Sequence, residues 1–147
     1  MHTTSAIVLN NMTVGEADLL STLYTEQFGK IRARAVGARK ESAKLRGHLE
    51  LLNQCTVSFI LGRGGEKLIH AMLLEHRPGI RGDLHAMLAA RYILEFVDHH
   101  CLVGDKDECL WKTLTGSLGE LDHGQIRRAE LGEFLRQFER RMLRCLG

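Results

Sequence analysis

The sequence predicts an α+β chain in two parts, an N-terminal five-stranded OB-fold β-barrel followed by a C-terminal α-helical domain. Three observations carry this. Before the single proline, Pro78, apolar residues alternate in short runs separated by glycine turns. After it they recur every three to four residues, the helical period. Five short strands in so small a region also need closure, because a closed barrel leaves no exposed sheet edge. The parts divide at residues 1–79 and 80–147. Strand pattern alone fits an SH3-like barrel nearly as well, and periodicity does not separate the two.

Ser5 to Leu9 reads as the first strand, with a turn from Asn10 to Gly15. Asp18 to Thr25, rich in Leu, Thr and Tyr, is the second. Glu26-Gln27-Phe28-Gly29 makes a hairpin turn in which Gly29 supplies a positive φ. Lys30 to Val36 then has a clean period of two. Ile31, Ala33 and Ala35 face the core, while Lys30, Arg32 and Arg34 form a ladder of three cations on the other side. Gly37 to Gly47 is a basic loop or short helix. A strand through Val57, Phe59 and Leu61, the turn Gly62-Arg63-Gly64-Gly65 and a strand from Leu68 to Leu73 complete the barrel.

In the second part Leu84, Leu88, Tyr92 and Phe96, with Met87 alongside, mark the core stripe of a helix from Asp83 to about His100. Asp83 suits its N-terminus. Gly104 breaks the chain. Leu110, Trp111, Leu114, Leu118 and Leu121 line a second helix that opens with Asp107 and Glu108. After a turn at Asp122-His123-Gly124, a third helix presents Leu131, Phe134, Leu135, Phe138, Met142 and Leu146. Its Arg136, Arg140, Arg141 and Arg144 read mostly as solvated charge.

The composition, 147 residues with 44% hydrophobic and 26% charged, is that of a globular protein. It excludes a disordered tail, a collagenous rod and a membrane protein, since no run nears the roughly 18 apolar residues of a spanning helix. Met1 to Asn10 has no basic region and too short an apolar stretch for a signal peptide, so a cytoplasmic location is expected. Cys55, Cys101, Cys109 and Cys145 contain no C-x-x-C pair; they are expected to be reduced, small apolar fillers rather than zinc ligands. Asp98-His99-His100-Cys101 spells a signature of membrane acyltransferases, which share nothing else with this chain, and is read as coincidence.

The net charge is only +2, yet it is unevenly placed. Residues 80–147 hold ten basic and eleven acidic side chains, whereas residues 1–79 hold ten against seven. Within them Lys30, Arg32, Arg34, Arg39, Lys40, Lys44 and Arg46 face the single acid Glu41. Such a block points to a polyanion, and these seven are the candidate residues for binding it. Enzyme chemistry is not indicated. Gly62 to Lys67 is glycine-rich but lacks the Walker spacing and joins two strands, so it is a hairpin turn. Eight histidines form no ligand spacing. No catalytic residue, metal or cofactor is expected; the reading is a binding protein.

Taken in series, several segments resemble the RecO recombination mediators of bacterial DNA repair. They are Gly15-Glu16-Ala17-Asp18-Leu19-Leu20, Thr25 through Arg32, Gly37-Ala38-Arg39-Lys40, Lys44 through Glu50, Gly62-Arg63-Gly64, and Phe138 through Leu143 with the closing Leu146-Gly147. The match runs from about residue 5 onwards and is most specific over 15–47. The resemblance implies an OB fold followed by helices and a non-catalytic role. That role is to bind single- and double-stranded DNA, anneal strands and help RecA load onto DNA covered by single-strand-binding protein. RecR and the C-terminal tail of single-strand-binding protein are the implied partners. Members usually continue well past the position of Gly147, often with a zinc module, so this chain is expected to be either a shortened member or a piece of one, without zinc. The barrel offers only Tyr24, Phe28 and Phe59 for base stacking, and Phe59 shares parity with the core; binding dominated by phosphates is therefore expected. An OB-fold RNA-binding protein and a protein-interaction adaptor are the competing readings.

Overall fold

The computed structural model of the chain describes residues 1–39, 45 and 47–147. Five strands, β1 (His2–Val14), β2 (Asp18–Thr25), β3 (Gly29–Ala35), β4 (Gln54–Gly62) and β5 (Gly65–Glu75), close in the order β1-β2-β3-β5-β4. All neighbours are antiparallel except β3 and β5, which pair in parallel at Ala33↔Glu66 and Arg34↔Lys67. This is the OB-fold closure, not an SH3-like one.

β2 has the expected limits, and the β2–β3 hairpin turns at Gly29 with φ 67°. Thr25 Oγ1 fixes that turn by accepting from Phe28 N at 2.9 Å and donating to Gly29 O at 2.7 Å. β1 is longer than expected. In place of a turn at Asn10 there is a register shift between Val8 and Asn10, and the strand continues to Val14. The side chain of Asn11, a residue type that ordinarily favours turns, instead donates to Leu49 O and accepts from Ser21 Oγ, so it ties the strand to its neighbours.

The helices are α1 (Pro78–Arg81), α2 (Leu84–His100), α3 (Glu108–Asp122) and α4 (Leu131–Leu146), with a 3₁₀ turn at Arg128–Glu130. Asp83 caps α2 by accepting from His85 N and Ala86 N, and Asp107 caps α3 by accepting from Leu110 N. Among the described residues no helix is long and apolar enough to cross a membrane.

The stripe expected to bury α2 is the wrong face. Leu84, Leu88 and Tyr92 are 70%, 57% and 41% exposed; of that set only Met87 and Phe96 are partly covered, Phe96 edge-on to Phe138. The buried face is Ala86, Ala89, Ala90, Ile93, Leu94 and Val97. Three alanines let the helix lie close to the barrel, and a stripe traced through the largest side chains passes them by. The other two stripes are buried largely as read, although Leu131 and Leu135 are only half covered and Leu146 is exposed.

The reduced state expected of all four cysteines also needs correction. Cys109 and Cys145 form a disulfide that joins the start of α3 to the end of α4. The two helices are antiparallel and similar in length, which brings residues far apart in sequence together. Cys55 and Cys101 are free and buried, and burial pushes both thiols up to about 11.

Two cores result. Ala6, Val8, Leu23, Ile31, Ala33, Ala35, Val57, Phe59, Leu68 and Ala71 fill the barrel. Ile7, Leu9, Tyr24 and Leu52 point outward into a second core shared with the helices. Tyr24 is wholly buried there, stacked on Trp111 at 6.4 Å. Both faces of β1 are therefore covered, which is why Ala6-Ile7-Val8-Leu9 is apolar without alternation. Close backbone approaches fix the packing: at Gly29 the barrel meets the loop after α2, where a Cβ would collide with Asp105 O, and at Gly79 α1 meets the end of α3, where a Cβ would collide with Asp122 O.

Candidate nucleic-acid interface

The cationic ladder on β3 is not uniform. Lys30 is only 5% exposed, its ammonium 2.9 Å from Asp98 Oδ1. It donates to Asp98 O at 2.6 Å and to Cys101 O at 3.2 Å, both at the C-terminal end of α2. Carbonyls at a helix C-terminus suit a cation, so the arrangement fastens strand to helix. Lys30 was expected to face a phosphate; its three donors are directed inward, and it leaves the set of accessible cations.

Arg32 and Arg34 do face outward and are exposed. Arg34 donates through Nε and Nη2 to Asp18 Oδ2 at 3.0 and 2.8 Å, while Asp18 Oδ1 accepts from Gly37 N. The pair holds the guanidinium upright along the strand, with about half of its side chain in solvent. Arg39 is exposed and donates from Nη1 to Gly15 O, and its own N–H reaches Ala17 O. That pins the start of the basic loop beside the β1–β2 turn. Lys40, Lys44 and Arg46 lie outside the described residues.

The fold adds a cation that linear charge did not single out. Lys67 on β5 is exposed and pairs across the parallel register with Arg34. Arg63, also exposed, sits in the β4–β5 turn. Neither belongs to a charge run, and Lys67 follows an acid, so only the closure of β5 onto β3 brings it beside the arginines. Arg32, Arg34, Arg39 and Lys67 thus reach one side of the barrel from two separate stretches of chain. Guanidinium groups offer paired donors to phosphate oxygens, and an ammonium offers a point charge.

Among the described residues no group of three or more His, Cys, Asp or Glu is placed to hold a metal ion. The buried Arg77, with φ 61°, donates from Nη2 to Gln54 Oε1 at the junction between barrel and helices; its Nε has no partner among the described residues, and burial lowers its pKa. Its surroundings are structural.

Residues 1–76 match the family model described as Recombination protein O N terminal. The chain is 35% identical over 144 residues to the DNA repair protein RecO of Geobacter metallireducens, covering 98% of this chain and 57% of that protein. To the DNA repair protein RecO of a Roseiflexus species it is 31% identical over 147 residues, 100% of this chain and 50% of the other. With that of Gloeothece citriformis it shares 41% identity over 93 residues. The chain spans about half the length of the first two of these relatives.

Proposed function

The chain belongs to the RecO family, and from that membership we propose that it serves DNA repair as a non-catalytic DNA-binding mediator. It binds single- and double-stranded DNA along the outer side of β3. The observation that carries this is the convergence of Arg32, Arg34, Arg39 and Lys67 on one side of the barrel. Contacts to phosphates are common to both strand states and carry little sequence preference. If those four cations all engage duplex, log affinity falls against log salt with a slope of about −4.

Annealing follows from the same surface. Cations between two strands lower their mutual repulsion, and no nucleotide hydrolysis is required. Family membership supports extending the role to RecA loading onto DNA coated with single-strand-binding protein, with RecR and that protein's C-terminal tail as partners. A cytoplasmic location beside the nucleoid goes with it.

The test is fluorescence anisotropy with a labelled single strand and its duplex across several salt concentrations, with matched RNA as competitor. Parent protein is expected to bind both DNA forms with a steep salt slope, and Arg32→Glu/Lys67→Glu to weaken both and flatten the slope. Failure of the parent to bind DNA at low salt overturns the reading, and preferential capture by RNA reassigns it.

A further inference from the structure

We propose that the barrel also carries a base-binding cup, at the end where β1 and β3 begin and β4 ends, and that it accepts one unstacked nucleobase of a single strand. Three rings from distant stretches meet there. His2 lies 4.9 Å from Phe28 and 5.4 Å from Phe59, and Phe28 stands edge-on to Phe59 at 5.5 Å. His2 is exposed, Phe28 half-buried and Phe59 forms the floor. Leu61 and Val103, both largely exposed, rise on either side of a cavity of about 260 Å³. That is ample for one base.

The chemistry of the rim selects a base over a phosphate. Glu66 lines the cavity, and a carboxylate there repels phosphate oxygens while accepting from the exocyclic amines of cytosine or adenine. Lys30 also lines the cavity, its ammonium taken up by Asp98 and Cys101 O; the exposed cations stand outside. Ile31 and Glu66 line the cup, and the next residue along each strand is Arg32 and Lys67. Successive strand residues point to opposite faces, so Arg32 and Lys67 stand on the outer wall behind Ile31 and Glu66, and a strand with one base in the cup meets them by crossing the rim; the proposal rests on that strip binding DNA. Duplex DNA keeps its bases stacked and cannot fill the cup, so the cup adds affinity for single strands alone.

The experiment compares parent protein with His2→Ala/Phe28→Leu, which removes two ring faces while keeping an apolar side chain at position 28. Phe59 is left in place because it also packs the barrel. Probes are a labelled oligo(dC), an abasic strand of equal length and a duplex. The variant is expected to lose about tenfold on oligo(dC), with duplex affinity and salt slope unchanged. The parent is expected to bind the abasic strand about as weakly as the variant binds oligo(dC). Equal oligo(dC) affinity in parent and variant overturns the cup, as does an equal loss on duplex. If thermal melting shows the variant unfolded, the parent alone decides: abasic and dC strands bound alike overturn the proposal. Arg32→Glu/Lys67→Glu separates the two readings, since it weakens duplex binding whether or not the cup exists. A parent protein that binds no DNA overturns both.

Discussion

Lys30 and Arg32 stand two residues apart on β3 with the same outward parity, yet they live in different worlds. Lys30 is roofed by the end of α2 and the loop after it, its ammonium held by Asp98 and by Cys101 O. Arg32, opposite Thr22 of β2, is open to solvent. Alternation decides which face of a sheet a residue joins. What covers that face is decided by elements some seventy residues away. One end of β3 is therefore an internal fastening and the other a candidate ligand surface, built from the same residue class.

This contrast can be broken at its fastened end. Gly29→Ala is expected to have the largest effect, about 4 kcal/mol of stability, because it combines a positive φ with a collision against Asp105 O. Urea unfolding reads it, and a loss below about 1 kcal/mol would show that the loop after α2 yields easily. Lys30→Met should cost about 3 kcal/mol by leaving Asp98 without its charge partner, somewhat less than a fully buried pair because Asp98 keeps some solvent. Lys30→Met/Asp98→Leu should recover much of that; no recovery would mean the carbonyl contacts matter more than the charge.

Burial on both sides of the barrel wall should also show in pH. Cys101 and Cys55 have thiols pushed up to about 11, and burial raises Tyr24 in the same direction. The folded state thus holds protons that the unfolded chain releases earlier. Stability from these groups is complete below the unfolded thiol pKa of about 8.5 and is lost as pH rises through about 11. A melting midpoint that stays flat over this interval would contradict the burial of these side chains.

At the open end the effects on stability shrink while those on binding grow. Arg34→Ala is expected to change stability by about 1 kcal/mol, since the guanidinium is half in solvent and Asp18 keeps the Gly37 N–H as a partner. Arg32→Ala should be smaller still, within about 0.5 kcal/mol, yet reduce the salt slope for DNA by about 1. Loss of stability without loss of slope would place Arg32 with Lys30 instead of with the phosphate contacts.

How much of this was legible in the sequence follows the same division. The inward set Ile31, Ala33 and Ala35 was readable because the strand alternates, and β2 because turn residues bound it on both sides. The roof over Lys30, the pairing of Lys67 with Arg34 and the Cys109–Cys145 bond depend on closure and helix packing that no local pattern encodes. The α2 face was misread for a different reason. Its buried alanines contribute by being small, which periodicity weighted by large side chains does not register. Within the candidate site the arginines are visible as a charge block and Phe28 and Phe59 as stacking candidates, whereas their meeting with His2 joins three distant stretches that no linear pattern encodes.

The outward residues Ile7, Leu9, Tyr24 and Leu52 carry a last consequence, for dissection of the molecule. A proteolytic cut or a truncation between Glu75 and Pro78 would free a barrel with every strand intact but with an aromatic and aliphatic flank laid bare. Barrel and helices accordingly form one cooperative unit, expected to melt in a single transition, and the excised barrel is a fragment prone to aggregation and not a minimal version of the protein.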